Sequence, residues 1–146
     1  MLHVVVQVGS SVPLRDGSGR TPLSRDFEQL PDTINQGDCP QLVHVGRSVS
    51  QQRKTFGSEP ILERRIQLVV YFLWGILQGD LAGHSGPLIR DFVDDYLRAL
   101  GRNDALNSSS AMLTVRAGPF PTKLAFNGVA YRGVSFELEL LDYSQA

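Results

Sequence analysis

Between Gly79 and Asp95 the chain reads GDLAGHSGPLIRDFVDD, which places glycines, a histidine, a serine and four aspartates within one short window. Three chemistries suit such a set. A glycine loop that feeds a helix N-terminus can cradle a phosphate, because the first backbone N–H groups of a helix point at the anion. That motif ends in Lys followed by Ser or Thr, whereas Gly86 leads into Pro87-Leu88, and Pro87 removes one donor. The dinucleotide pattern also fails, since Gly79, Gly83 and Gly86 are separated by three and then two residues instead of one and then two. His84-Ser85 sets a base beside a hydroxyl, but side chains adjacent in sequence do not face each other as a triad does, and no orienting acid can be assigned. Asp91 and Asp95 lie one helical turn apart, the spacing of a cation pair. Asp94 and Arg98 share that face at i,i+4, which reads as a solvated helix surface. His3 and His44 stand in strand-like segments far apart, so no three-histidine metal site is expected. The expectation is a protein without enzymatic activity or cofactor.

Other residues suit contact better than catalysis. Phe120 sits between Pro119 and Pro121, and an aromatic pre-ordered by two prolines loses little entropy on docking, whether into its own core or into a neighbour's pocket. Arg53 and Lys54 lie in the polar run 47–60, which reads as a solvated, mobile loop able to meet an acidic partner or a phosphate backbone. Val69, Tyr71 and Leu73 share one side of an apolar strand, where an oligomer interface would cover them, and His84 reads as a contact residue.

These positions are set by a small number of elements. Val-rich residues 2–8 read as a strand. Residues 10–26, rich in Pro, Gly and Ser, extend it into an N-terminal arm over 1–26 that cannot bury enough to order itself. Phe27, Leu30 and Ile34 suggest a helical turn broken by Pro31, and 41–45 a strand. The run ILERRIQLVVYFLW, 61–74, is the strongest strand. Leu62, Arg64, Ile66, Leu68, Val70, Phe72 and Trp74 point one way, and its second half is apolar on both sides. From Pro87 to Gly101 the punctuation is that of a helix, with Leu88, Ile89, Phe92, Val93, Tyr96, Leu97 and Leu100 on one face. Strands are expected at 112–116, at 123–126 and 129–132 around the hairpin pair Asn127-Gly128, and at 134–140. Glu137 and Glu139 would then face Arg64 or Arg65 if the last strand pairs with the long one. The sum is an α+β domain over 27–146: an antiparallel sheet of four to five strands, one main helix packed on a face, an extended arm and long loops.

Composition agrees with a folded chain. Its 146 residues are 42% hydrophobic and 20% charged, enough for one core. A net charge of −1 gives no electrostatic case for a dedicated nucleic-acid binder. Cys39 is alone, which excludes an internal disulfide and suits assembly in a reducing cytoplasm. The opening MLHVVVQV lacks the basic leader of a signal peptide, and the longest apolar run, 68–77, is too short for a membrane span.

Four segments together, "LPDTINQGDCPQLVHV" (30–45), "RRIQLVVYFLWG" (64–75), the helix after "HSGPL" and "FPTKLAFNGVAYRGVSFELELLDY" (120–143), resemble the tail terminator and tail completion proteins of long-tailed bacteriophages. Phe126, Gly128, Tyr131, Gly133, Phe136 and Leu138 stand where that family's terminal strand block carries aromatic, glycine and apolar residues, and Cys39-Pro40 replaces its second Leu-Pro. The long helix that usually begins the family is replaced by the arm. The resemblance implies a virion structural protein of the neck: a hexameric ring that caps the tail tube, stops its growth and joins it to the head connector. Its partners would be further copies of itself, the tail tube protein and the connector protein, with DNA passing through the lumen without specific binding, and no membrane. A head completion or connector adaptor protein of the same neck is the alternative, and a small enzyme using the His84-Ser85 loop is the remaining rival.

Overall fold

The computed structural model describes residues 2–26, 34, 36–57, 59–77, 86–126 and 128–145. In chain order these form helix α1 (Leu2–Ser11), strand β1 (Leu23–Asp26), a short 3-10 turn (Gln36–Asp38), β2 (Gln41–Phe56) and β3 (Glu59–Ile76). Helix α2 (Gly86–Gly101) follows, then β4 (Ala111–Ala117), β5 (Thr122–Phe126) and β6 (Val129–Gln145). The fold is α+β, built on one mixed sheet of six strands in the order β1-β2-β3-β6-β4, with β5 also on β6. All strand pairs are antiparallel except β1 on β2.

The long strand is therefore one arm of a hairpin. β2 and β3 turn at Gly57, which adopts φ 64°, a value any residue with a Cβ adopts at a cost. Along β6, β3 pairs with residues 131–145, while on the other side β5 takes the first third and β4 the stretch 136–142. β6 is thus a single central strand where the sequence suggests two. Gly133 explains how it lies so close to β3: a Cβ there would stand 1.9 Å from the Phe72 carbonyl oxygen.

Helix α2 covers one face. Ile89, Phe92, Val93, Tyr96 and Leu100 are buried against Leu68, Val70, Phe72, Phe136 and Leu138. Phe92 stacks on Phe72 with centroids 4.0 Å apart, and Tyr96 meets Phe136 edge-on at 4.9 Å. Each such side chain contributes about 1.5–3 kcal/mol on burial, and offset or edge-on ring contacts add to this.

Several expectations need correction. Residues 2–8 are helical, and 1–26 is not an extended arm: Val5, Val8 and Val12 are buried in the same cluster as α2, and β1 joins the sheet. Their i, i+3, i+7 spacing is a helix stripe, and burying it on the sheet outweighs the strand preference of valine. Residues 47–56 are strand and not loop. Of these, 48–53 are exposed on both faces and mostly polar, which in sequence looks like a loop. The far side of β3 is covered by the chain itself. Val43, Val45, Leu73, Phe126 and Tyr131 form a second cluster there, joined by Ile34, Cys39 and Tyr71. Of the expected turn at Phe27, Leu30 and Ile34, only Ile34 is among the described residues, and its carbonyl oxygen accepts a bond from the Tyr131 hydroxyl at 3.2 Å.

Candidate interaction surface

Beyond its four residues of pairing with β1, β2 runs on from Ser48 to Phe56 as an edge ribbon, paired on one side only, with β3, while the sheet continues through β6 to β4. The ribbon has its own ladder of polar side chains. Ser48 donates to Gln67 at 3.2 Å, and Gln67 donates to Glu139 on β6 at 2.9 Å. Arg65 lies 3.7 Å from Glu139 and 4.0 Å from Glu63. Lys54 closes the row, with its ammonium 3.0 Å from the Glu63 carboxylate. The Lys54 hydrogen bond holds the Glu63 carboxyl below its ordinary range, against the opposing effect of desolvation. The exposed members of the row, such as Arg65 with Glu139, are worth no more than about 1 kcal/mol each, and the buried Glu63 carboxylate needs its Lys54 partner to offset desolvation.

The same side of the sheet, away from the helices, opens into a hollow of about 440 Å³ over β2, β3, β6 and β4. Gln67, Val69, Thr114, Arg116, Glu137 and Glu139 line it, with Arg116 and Glu137 joined as an ion pair. Its lining holds two carboxylates and one guanidinium, and each carboxylate already has a cationic or amide partner.

The sequence candidates separate on this frame. Arg53 is exposed on the outer strand of the ribbon, whereas Lys54 next to it is turned to Glu63. Tyr71, expected at an interface, is half-buried and packs edge-on against Phe126 at 5.4 Å. Leu73 is buried in the second cluster, because the β5–β6 hairpin folds over it. Phe120 is exposed at the turn after β4. His84, with Ser85 and the glycine loop, lies outside the described residues.

Residues offered for cation binding or catalysis have structural tasks. Asp95 accepts two hydrogen bonds from the Arg15 guanidinium, at 2.8 and 2.7 Å, and the fork raises the arginine's pKa further, with Asp91 and Asp94 adding to the field. That side of α2 is a docking face for the segment after α1. Arg15 lies eighty residues away, and no local pattern announces it. His44 is buried, and its Nδ1–H donates to the Arg25 carbonyl oxygen at 2.9 Å, which ties β1 to β2. His3 lies exposed on α1 and not on a strand. Burial raises the Cys39 thiol pKa, which suppresses the reactive thiolate. Among the described residues no group of three or more His, Cys, Asp or Glu is placed to hold a metal, and no helix is long and apolar enough to cross a membrane.

Sequence reasoning missed the sheet edges. Both ends of the sheet carry exposed apolar side chains, and only the strand order reveals which residues lie there. Comparison of the chain with protein-family models and with curated proteins finds no match.

Proposed function

We propose that the chain is a structural protein of a phage neck, a tail terminator whose copies close into a ring, cap the tail tube and meet the head connector. The observation that carries this reading is the terminal strand block. Each residue matched to the family pattern has an architectural task on or beside β6. Gly128 takes the φ 78° of the β5–β6 turn, and Phe126 and Tyr131 fill the second cluster. Gly133 permits the close approach to Phe72, while Phe136 and Leu138 fill the main core. A pattern so occupied is a fold device, and it supports the resemblance as one of architecture instead of chemistry. Helix α1, present where the sequence suggested an arm, also brings the N-terminal region closer to the family's arrangement.

Ring and cap need self-association, a face for the tube and a face for the connector, and no reacting group. The exposed outer edge of β2 from Ser48 to Arg53 and the exposed residues of the loop after α2 are available as docking elements. Light scattering and negative-stain imaging of purified protein, with and without tail tubes, test the reading. Rings that bind tube ends are expected. A protein that stays monomeric and leaves tube ends bare overturns it.

A further inference from the structure

Among the described residues, the outer side of β2 from Ser48 to Phe56 faces no strand, and neither does the outer side of β4 from Met112 to Ala117. Unpaired strand edges are templates for another strand, and proteins guard them with charge, proline, bulges or covers. Here the guards are displaced. The irregularity between Val45 and Ser48 sits at the root of the ribbon, Lys54 is drawn inward to Glu63, and Ser48 to Gln52 carries neither charge nor proline. Among the described residues, four large hydrophobic side chains stand exposed: Leu23 at 43%, Val49 at 57%, Met112 at 52% and Phe120 at 40%. Leu23 and Val49 belong to the β1–β2 edge, and Met112 and Phe120 to the β4 edge and the turn after it. Apolar exposure is therefore concentrated at the two opposite ends of one sheet.

We propose that these edges pair head to tail between copies of the chain, with Ser48–Arg53 of one copy against Ala111–Arg116 of the next. The path β2-β3-β6-β4 is antiparallel throughout, so β4 runs opposite to β2. A second copy added with its helix-covered face on the same side then meets β4 with an antiparallel β2. Charge selects the same direction. Antiparallel pairing sets Arg116 beside Ser48 and leaves Arg53 five residues away, roughly 17 Å at strand rise, beyond a Debye length of about 8–10 Å. Parallel pairing would put Arg53 directly beside Arg116. The antiparallel register aligns Val49 with Val115 on the helix side and Ser50 with Thr114 on the open side. It also carries the Phe120 turn towards the neighbour's β1. A contact between two different patches is heterologous, and it closes into a ring when the rotation per copy divides a full turn. The closure rests on the neck reading; the pairing itself needs only the two edges.

Ser50→Cys and Thr114→Cys, each on a Cys39→Ser background, test the pairing. Both positions are exposed, so the variants are expected to fold. Within one chain they are separated by β3 and β6, roughly 14 Å across three strand spacings, against a disulfide limit of about 7 Å between Cα atoms. A disulfide can thus form only between copies. Under mild oxidation the mixed single variants are expected to yield covalent dimers while neither does alone, and Val49→Lys is expected to weaken self-association at least tenfold. Cross-linking of either single variant by itself, or none in the mixture, overturns the proposal. Heterologous cross-linking without tube binding would defeat the neck reading and leave the pairing standing. Tube-capping rings without it would do the reverse.

Discussion

Lys54 on β2 reaches diagonally across the ribbon to Glu63 on β3, where ammonium and carboxylate lie 3.0 Å apart. The contact draws a charge away from the outer edge of β2, where it would deter a second strand, and among the described residues leaves Arg53 as the exposed cation of that edge. The pair thus sets what the edge can meet.

The first prediction concerns this pair. Glu63 is expected to titrate below the ordinary 4.5, because Lys54 bonds its charged form. Its contribution to stability is therefore present above the unfolded value and lost as pH falls through the folded one. Carboxyl NMR shifts followed against pH should show the low midpoint, and Lys54→Met should move it upward. An unchanged midpoint in that variant would show that the pair does not form.

A second acid-sensitive contact lies in the turn after α1. Asp16 bonds the Ser18 hydroxyl and backbone N–H, and its pKa falls from 3.8 to about 2, with Arg20 assisting. A depressed carboxylate stabilises the fold above its unfolded pKa and ceases to do so as pH falls from about 4 to about 2. Asp16→Asn should therefore lower the melting temperature at pH 6, and the deficit should shrink as pH falls towards 2. An equal deficit at both values would place the loss outside the titration.

Helix α1 is expected to behave as core and not as a detachable arm. Val5 is 2% exposed and joins the main cluster. Val5→Ala removes two buried methyl groups and leaves a cavity, so chemical denaturation should report a loss of about 2 kcal/mol. A near-zero change would mean that α1 does not dock.

Gly133→Ala tests the close approach of β6 to β3. The added methyl would overlap the Phe72 carbonyl oxygen at 1.9 Å, and backbone cannot yield as a side chain tip can. Overpacking of this kind costs about 1–3 kcal/mol or more, so the equilibrium unfolding midpoint should fall accordingly. Gly101→Ala, where nothing lies within 4 Å of the added carbon, serves as the control and should leave the midpoint nearly unchanged.

Much of the main core was legible without coordinates. The helix stripe Ile89, Phe92, Val93, Tyr96, Leu100 and the period-two run through Leu68, Val70 and Phe72 name their own partners, because burial on one side imprints a period on the chain. Asn127-Gly128 marked the last hairpin, with Gly128 at the positive φ that only glycine adopts freely. Polar strands leave no such imprint. Residues 48–53 are exposed on both faces, so nothing in their sequence separates an edge strand from a loop.

What the amino-acid sequence determined by itself is each element's apolar side and its turns, since these depend on neighbours a few residues apart. Only the tertiary structure decided that Val5 and Val8 sit on a helix packed, with Val12 just after it, into the main core, and that Arg15 takes Asp95. It also decided that the β5–β6 hairpin covers Tyr71 and Leu73, and that β2 and β4 stand at the open ends. Each of these turns on long-range contacts, strand order among them, whose energy comes from residues far apart in sequence and leaves no local pattern.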